Sequence, residues 1–391
     1  MFVDGGLLNF LQCPSCHGEY KFYNVETSLE IFEGSGVLVC NRCGRSIIVI
    51  KGIPIFHEFF KDASSAMNFL SLIYDRDKST SPFLHSIMHR PMEHIDFLEL
   101  LDFLHREKID IIFKRFGTPY ISLKRFKIEK YQKICRFLTD EPIETLLDLG
   151  CGFGCSTIPF AESGKAEYCV GLDSNFFFLL LFDKYCQENN LQNIGLILFN
   201  VENLPFPLKK SRFDVVIGIS FFNHFISSKN KDTLYSFIKE LTRITRNGGR
   251  IFIDAVPNRL HPFPGEVNMP GLLKRKSLEK ATKFFLSCVP FKWFPRSISM
   301  SVLWRLYRLY CFLIGNKVES YNTFLDYVSS IIPEANVQFL PLSPFYYKKL
   351  LNSFTEVRIM PQNEFYKELI LKEWKARDFF KSVYLVLYAK R

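Results

Sequence analysis

Leu146-Leu147-Asp148-Leu149-Gly150-Cys151-Gly152-Phe153-Gly154-Cys155-Ser156-Thr157 reads as the end of a buried strand, a glycine-rich turn and the start of a helix. The largely apolar run from Ile143 to Leu149 has the length of a core strand in a parallel sheet. Glycines at 150, 152 and 154 let the backbone turn tightly and let a ligand approach the main chain. Ser156 and Thr157 suit the first turn of a helix. A second acid, Asp173, closes a second apolar run, Tyr168 to Leu172. The two strand-borne acids around a glycine turn point to a nucleoside-cofactor site.

Outward from this stretch, residues 141 to 257 alternate strand and helix. Further strands are predicted at Gly195 to Phe199, Phe213 to Ile219 and Arg250 to Ala255. Helices are predicted from Ser156 to Ala161, from Phe176 to Glu188 and from Lys231 to Thr245. Asn247-Gly248-Gly249 reads as the stop of the last of these. The Phe176 to Phe182 run is apolar all round and should be buried. A helix from Pro344 to Ser353 and strands at Thr355 to Met360 and Ser382 to Ala389 complete an α/β, Rossmann-like core of seven strands.

Such a sheet binds ligands beyond the carboxyl ends of its strands. Four loops end there. They carry the glycine turn, Asp173 with Ser174, Asn200-Val201 through Phe206, and Ser220-Phe221-Phe222-Asn223-His224. Asp173 is placed to accept from two ribose hydroxyls, and Asn200 to read an adenine edge. A nicotinamide dinucleotide fits poorly, because Cys155 stands where its G-x-G-x-x-G signature needs the last glycine.

Asp148-x-Gly150-x-Gly152-x-Gly154, Asp173 and the Asn200 to Phe206 loop resemble the class I S-adenosylmethionine-dependent methyltransferases, the type 11 group above all. The resemblance covers residues 141 to 257 well and 343 to 391 loosely. It implies cofactor contacts at Asp148, Gly150, Cys151, Gly152, Gly154, Asp173, Ser174, Asn200, Val201 and Ser220. Many relatives have Asp where this chain has Asn200. Asn still donates and accepts, so binding should survive with altered adenine contacts.

Cys13-Pro14-Ser15-Cys16 and Cys40-Asn41-Arg42-Cys43 form two CxxC pairs, joined by a segment with the alternation of a hairpin. Four thiolates complete a tetrahedral shell, so the predicted ion is a structural zinc, and His17 is read as a surface residue. With Gly52-Ile53-Pro54 after the second pair, residues 1 to 57 resemble the zinc-ribbon family of methyltransferase activator subunits. That resemblance implies a module that props or docks and does no chemistry.

Residues 58 to 140 read as helical, over Ser64 to Tyr74, Met92 to Phe116 and Leu123 to Leu138, and are expected to cap the cofactor. His85 and His89 share a helix face but lack a third patterned ligand, so a metal site there is disfavoured. Residues 258 to 342 break the α/β pattern as an insert expected to form a lid over the acceptor site. The chain has 391 residues and a net charge of +10. Much of the surplus lies between Asn258 and Lys317, where the only acids are Glu266 and Glu279. Its mixed basic and aromatic residues suit peripheral contact with a membrane surface, an RNA-binding face, or a solvated lid. The opening residues lack a secretory signal, and no apolar run is long enough to span a bilayer, so the expected place is cytoplasmic, with membrane-surface association through 258 to 317 as an option.

The implied reaction is methyl transfer from a sulfonium to oxygen or carbon of a small or lipid-linked metabolite. His224 is the sole well-placed base for it, the alternative being a histidine that shapes the pocket. The fourth loop lacks the Asn/Asp-Pro-Pro-Tyr motif of nucleic-acid amino methyltransferases. RNA methylation is the second reading, and a non-catalytic scaffold that works through the ribbon is the third.

Overall fold

The computed structural model describes residues 5–25, 30–88, 96–117, 122–222, 231–257, 344–362, 365–366 and 384–391. Near the N-terminus, strands β1 (Tyr20–Asn24), β2 (Gly36–Cys40), β3 (Ser46–Ile50) and β4 (Ile53–Pro54) form one sheet in chain order. Successive strands pair antiparallel. Lys51 and Gly52, both at positive φ (52° and 76°), make the two-residue turn between β3 and β4, a geometry that such a hairpin demands. Helix α1 (Gly5–Leu8) precedes this sheet, and α2 (Ala63–Tyr74), capped by the Asp62 carboxylate, lies against β2 and β3.

The expected Met92 to Phe116 helix is two helices in the described residues, α4 (Phe97–Arg106) and α5 (Ile109–Phe116), with α3 (Ser81–Met88) before them. Neither Gly nor Pro makes the break. Lys108 is extended, and the N–H of the buried Ile109 donates to Glu188 Oε1 at 2.9 Å, so a distant carboxylate starts the second helix. The expected Leu123 to Leu138 helix likewise divides into a 3-10 turn, Leu123–Lys127, and α6 (Glu129–Leu138).

The larger sheet is built from β5 (Ile143–Leu149), β6 (Ala166–Asp173), β7 (Ile194–Leu198), β8 (Phe213–Gly218), β9 (Thr245–Pro257), β10 (Glu356–Pro361) and β11 (Tyr384–Lys390). Their order is β10-β11-β9-β8-β5-β6-β7. The pairs β5–β6, β5–β8 and β6–β7 run parallel. Strand order reverses at β5, which makes the loops after β5 and its neighbours the natural ligand crevice. Helices α7 (Ile158–Glu162) and α8 (Phe176–Glu188) connect the first strands, and α9 (Lys231–Ile244) leads into β9. As its apolar circumference predicts, α8 buries Phe176, Phe177, Leu179, Leu180, Leu181 and Phe182. One expectation fails: Asn247-Gly248-Gly249 lies inside β9 and does not end the helix, since β9 already begins at Thr245.

The chain divides into two compact units, Met1–Ile219 with Ser236–Phe252 and Lys390–Arg391, and Ser220–Tyr235 with Ile253–Ala389. The first holds both the small sheet and the glycine turn. Within it the small sheet is stitched to the edge of the large one. Ile55 bridges Leu198 of β7, and Leu11 bridges Leu208. Phe56 N–H donates to Leu198 O at 2.9 Å, Gln12 N–H to Pro207 O at 3.0 Å and Lys209 N–H to Phe10 O at 2.8 Å. Phe10 stacks on Tyr168 and on Phe213, each at 5.4 Å. Phe10→Ala removes a buried ring from this seam and is expected to cost about 3–5 kcal/mol in urea unfolding. A loss below about 1 kcal/mol would mean the seam contributes little.

In the second unit Tyr347, Leu351, Phe354, Met360 and Leu385 to Leu387 are buried. The helix there, Pro344–Leu350, is shorter than the sequence predicts. The expected insert, 258 to 342, lies outside the described residues. Among the described residues no helix is long and apolar enough to cross a membrane.

Candidate cofactor site and cysteine cluster

Asp148 is fully buried near the end of β5. Its Oδ2 accepts from the Ser156 hydroxyl at 2.5 Å and the Thr157 hydroxyl at 2.7 Å. This corrects the sequence reading of Ser156 and Thr157. They do not lie in the first turn of the helix: α7 begins at Ile158, and Thr157, at its N-cap position, makes no capping bond with its side chain. Their hydroxyls reach back to the strand and hold the acid.

Gly150, Gly152 and Gly154 all adopt the left-handed backbone, with φ of 69°, 54° and 92°. The N–H groups of Gly150 and Cys151 donate to Leu172 O, at 2.7 and 3.1 Å, tying the turn to the end of β6. Asp173 then grips the turn from the neighbouring strand. Its Oδ2 accepts Gly152 N–H at 2.8 Å and its Oδ1 accepts Asn175 N–H at 2.8 Å. Asp148, the glycine turn and Asp173 are therefore one hydrogen-bonded unit. Ser174 and Asn200 are exposed, Val201 is half-buried, and Asn200 Oδ1 accepts the N–H of Glu202 at 3.0 Å.

Burial pushes the Cys151 thiol well up, and the Asp173 and Asp148 charges push it the same way. Cys151 is thus a neutral packing residue. Phe153, at the tip of the turn, meets Phe126 at 5.4 Å, Phe113 at 5.7 Å and Phe178 at 6.0 Å. The helical segment before the sheet is thereby fastened to the glycine turn. No local pattern marks these rings, since their partners are far apart in sequence.

Ser220 belongs to the second unit. It is exposed, at φ 59°, and its N–H donates to Asp254 Oδ1 at 2.5 Å. Asp254 is fully buried, and its Oδ2 accepts from the Tyr366 hydroxyl at 2.6 Å and the Gln362 amide at 3.2 Å. The sequence reading passed over Asp254, although an acid in the apolar run Ile251 to Val256 is the same signal that Asp148 gives. His224 lies outside the described residues, as does His89.

The sulfurs of Cys13, Cys16, Cys40 and Cys43 lie within 4.8 Å of one another. Cys13 Sγ is 3.8 Å from Cys43 Sγ, and Cys16 Sγ is 3.4 Å from Cys40 Sγ. A tetrahedral zinc with bonds of about 2.3 Å sets sulfurs about 3.8 Å apart, so the donor set fits such an ion. The two knuckles have matching forms. His17 N–H donates to Cys13 O at 2.9 Å and Gly44 N–H to Cys40 O at 3.0 Å. Burial pushes the Cys13 thiol up, but the N–H groups of Cys16 and Ser15 outweigh it and bring the thiol down to about 7. His17 is exposed, as its reading as a surface residue requires.

Residues 147–253 match the family described as methyltransferase domain, and residues 4–46 match the Trm112p-like protein family. The chain is 30% identical over 122 residues to the aklanonic acid methyltransferase DauC of Streptomyces sp. (strain C5), covering 30% of this chain and 53% of that protein. It is 29% identical over 132 residues to the demethylmenaquinone methyltransferase of Geobacillus sp. (strain WCH70), covering 33% of this chain and 47% of that protein. The chain thus spans about half the length of these curated relatives. A chain from a solved complex containing the Haloferax volcanii Trm112 methyltransferase activator aligns with TM-score 0.36 and 12% identity, over 68% of this chain and 92% of that one. The protein therefore carries a type 11 methyltransferase domain joined to a Trm112p-like zinc-ribbon region.

Proposed function

We propose that this chain is an S-adenosylmethionine-dependent methyltransferase that acts on oxygen or carbon of a small or lipid-linked metabolite. The observation that carries the reading is the unit of Asp148, glycine turn and Asp173, set in the region that matches a methyltransferase domain. The named acceptors of the two curated relatives, aklanonic acid and demethylmenaquinone, support a small-molecule acceptor.

S-adenosylmethionine supplies a methyl group on a positively charged sulfur. The chain's task is alignment and exclusion of water. A carboxylate offers about four acceptor positions, so ribose hydroxyls can bond to Asp173 beside or in place of its N–H donors. The Asn200 oxygen serves its own loop, so its NH2 is the end to turn toward an adenine edge. Asp148, held by Ser156 and Thr157, is the acid for the cofactor's ammonium. Cys151, Gly154, Ser174, Val201 and Ser220 complete the proposed cofactor set, and His224 is the proposed base for an acceptor hydroxyl or acidic C–H.

Calorimetry with S-adenosylmethionine tests the reading. Saturable one-to-one binding is expected, and its absence from folded, metal-loaded protein would overturn it. Transfer of a tritiated methyl group to cell extract, split into small-molecule, lipid and RNA fractions, then identifies the acceptor class. Label confined to RNA would remove the metabolite reading.

The cysteine cluster is proposed to hold a structural zinc that keeps the ribbon folded. Chelation should lower the urea midpoint and make Cys13, Cys16, Cys40 and Cys43 titratable with a thiol reagent. Cys151 and Cys169, whose thiols burial pushes up, should stay unreactive until the chain unfolds. An unchanged urea midpoint after complete metal removal would count against a structural ion.

A further inference from the structure

We propose that Arg125, on the 3-10 turn Leu123–Lys127, binds the carboxylate at the amino-acid end of the cofactor. The inference rests on the S-adenosylmethionine reading above and adds a residue from outside the matched methyltransferase region. Arg125 Nε is buried, and among the described residues it has no hydrogen-bond partner. A buried donor left without an acceptor is rare in a folded protein and marks a place where water, an ion or a ligand completes the bond.

Two further observations say what that ligand is. The turn is fastened to the glycine loop, because the next residue, Phe126, packs on Phe153 at 5.4 Å and stacks on Tyr185 at 4.2 Å. Arg125 also feels the same thiol as Asp148. Burial pushes the Cys155 thiol up to about 12, the Arg125 charge pulls it down and the Asp148 charge pushes it up. Cys155, the residue after Gly154, thus feels a guanidinium and a carboxylate of opposite charge. An amino acid's own ends, an ammonium and a carboxylate, are the complement of that pair. Arg is suited to the carboxylate because its planar fork donates two parallel bonds.

The test uses S-adenosylmethionine and decarboxylated S-adenosylmethionine, which keeps the adenosine, sulfonium and amine but lacks the carboxylate. Zinc-loaded wild-type protein should bind the first about 10- to 100-fold more tightly than the second by calorimetry. Arg125→Gln should lose most of that preference, with unchanged affinity for the decarboxylated compound and an unchanged melting temperature. Arg125→Lys should restore part of it and serves as the reporter if the Gln variant does not fold. An equal loss of affinity for both compounds would make Arg125 a structural residue and overturn the proposal. An unchanged preference in both variants would overturn it as well. Wild-type protein that binds both compounds equally overturns this inference alone, whereas wild-type protein that binds neither overturns the methyltransferase reading and this inference with it.

Discussion

Gly154→Ala should destabilise the protein by about 2–5 kcal/mol in urea unfolding, much more than the same change at Gly152. Both residues occupy the left-handed backbone, at 92° and 54°, where a Cβ costs about 1–2 kcal/mol. They differ in what the Cβ would meet. At Gly154 it would lie 2.4 to 2.6 Å from three ring carbons of Phe182. At Gly152 nothing lies within 4 Å. Phe182 is fully buried on α8 and cannot swing into solvent, so overpacking adds about 1–3 kcal/mol at Gly154 alone. Equal losses at the two positions would show that the helix yields and that the close approach of turn to ring is not a constraint.

Asp173→Ala should weaken S-adenosylmethionine binding by about 100-fold or more. Each hydrogen bond to a charged group is worth about 1.5–3 kcal/mol, and two ribose hydroxyls are lost together. The same change frees the N–H groups of Gly152 and Asn175, so the turn loses its grip on β6 from that side. Asp173→Asn keeps one acceptor and should lose less. Calorimetry on variants with wild-type melting temperatures separates binding from folding. An affinity within threefold of wild type in Asp173→Ala would remove Asp173 from the ribose role.

The parts of this fold that were legible in the sequence are those whose signal is local. Buried parallel strands read as apolar runs, and β5, β6 and β8 came within a residue or two of their observed bounds. The cysteine pairs were legible because two thiols sit on each knuckle. What was missed depends on partners far along the chain. Ser156 and Thr157 carry the residue types of a helix cap, and only the position of Asp148 turns them into its ligands. The split at Lys108 is set by Glu188, which no helical periodicity near residue 108 can announce. Arg125 stands beside Lys124 and near Lys127 and reads as one more solvated cation. It is half-buried with its Nε covered, beside a Phe126 that packs on a ring in the glycine turn. Asp254 was overlooked for a simpler reason: its strand lies outside the motif that drew attention to Asp148.

The seam at Phe10 also sets an order of events during synthesis. The ribbon is translated before the surface it joins: its stacking partner Phe213 and its bridging partners Leu198 and Leu208 come about 140 to 200 residues after the residues they meet. At about 5–20 residues per second, a nascent ribbon waits on the order of ten to forty seconds for the surface it joins. During that wait Phe10 lacks the Tyr168 and Phe213 rings on which it ends up stacked, and Leu11 lacks its bridge to Leu208. The four cysteines lie within residues 13 to 43, so the proposed zinc would fold the small sheet early. Docking then becomes the late, long-range step, and loop closure over that separation places its cost in the folding rate more than in the final stability.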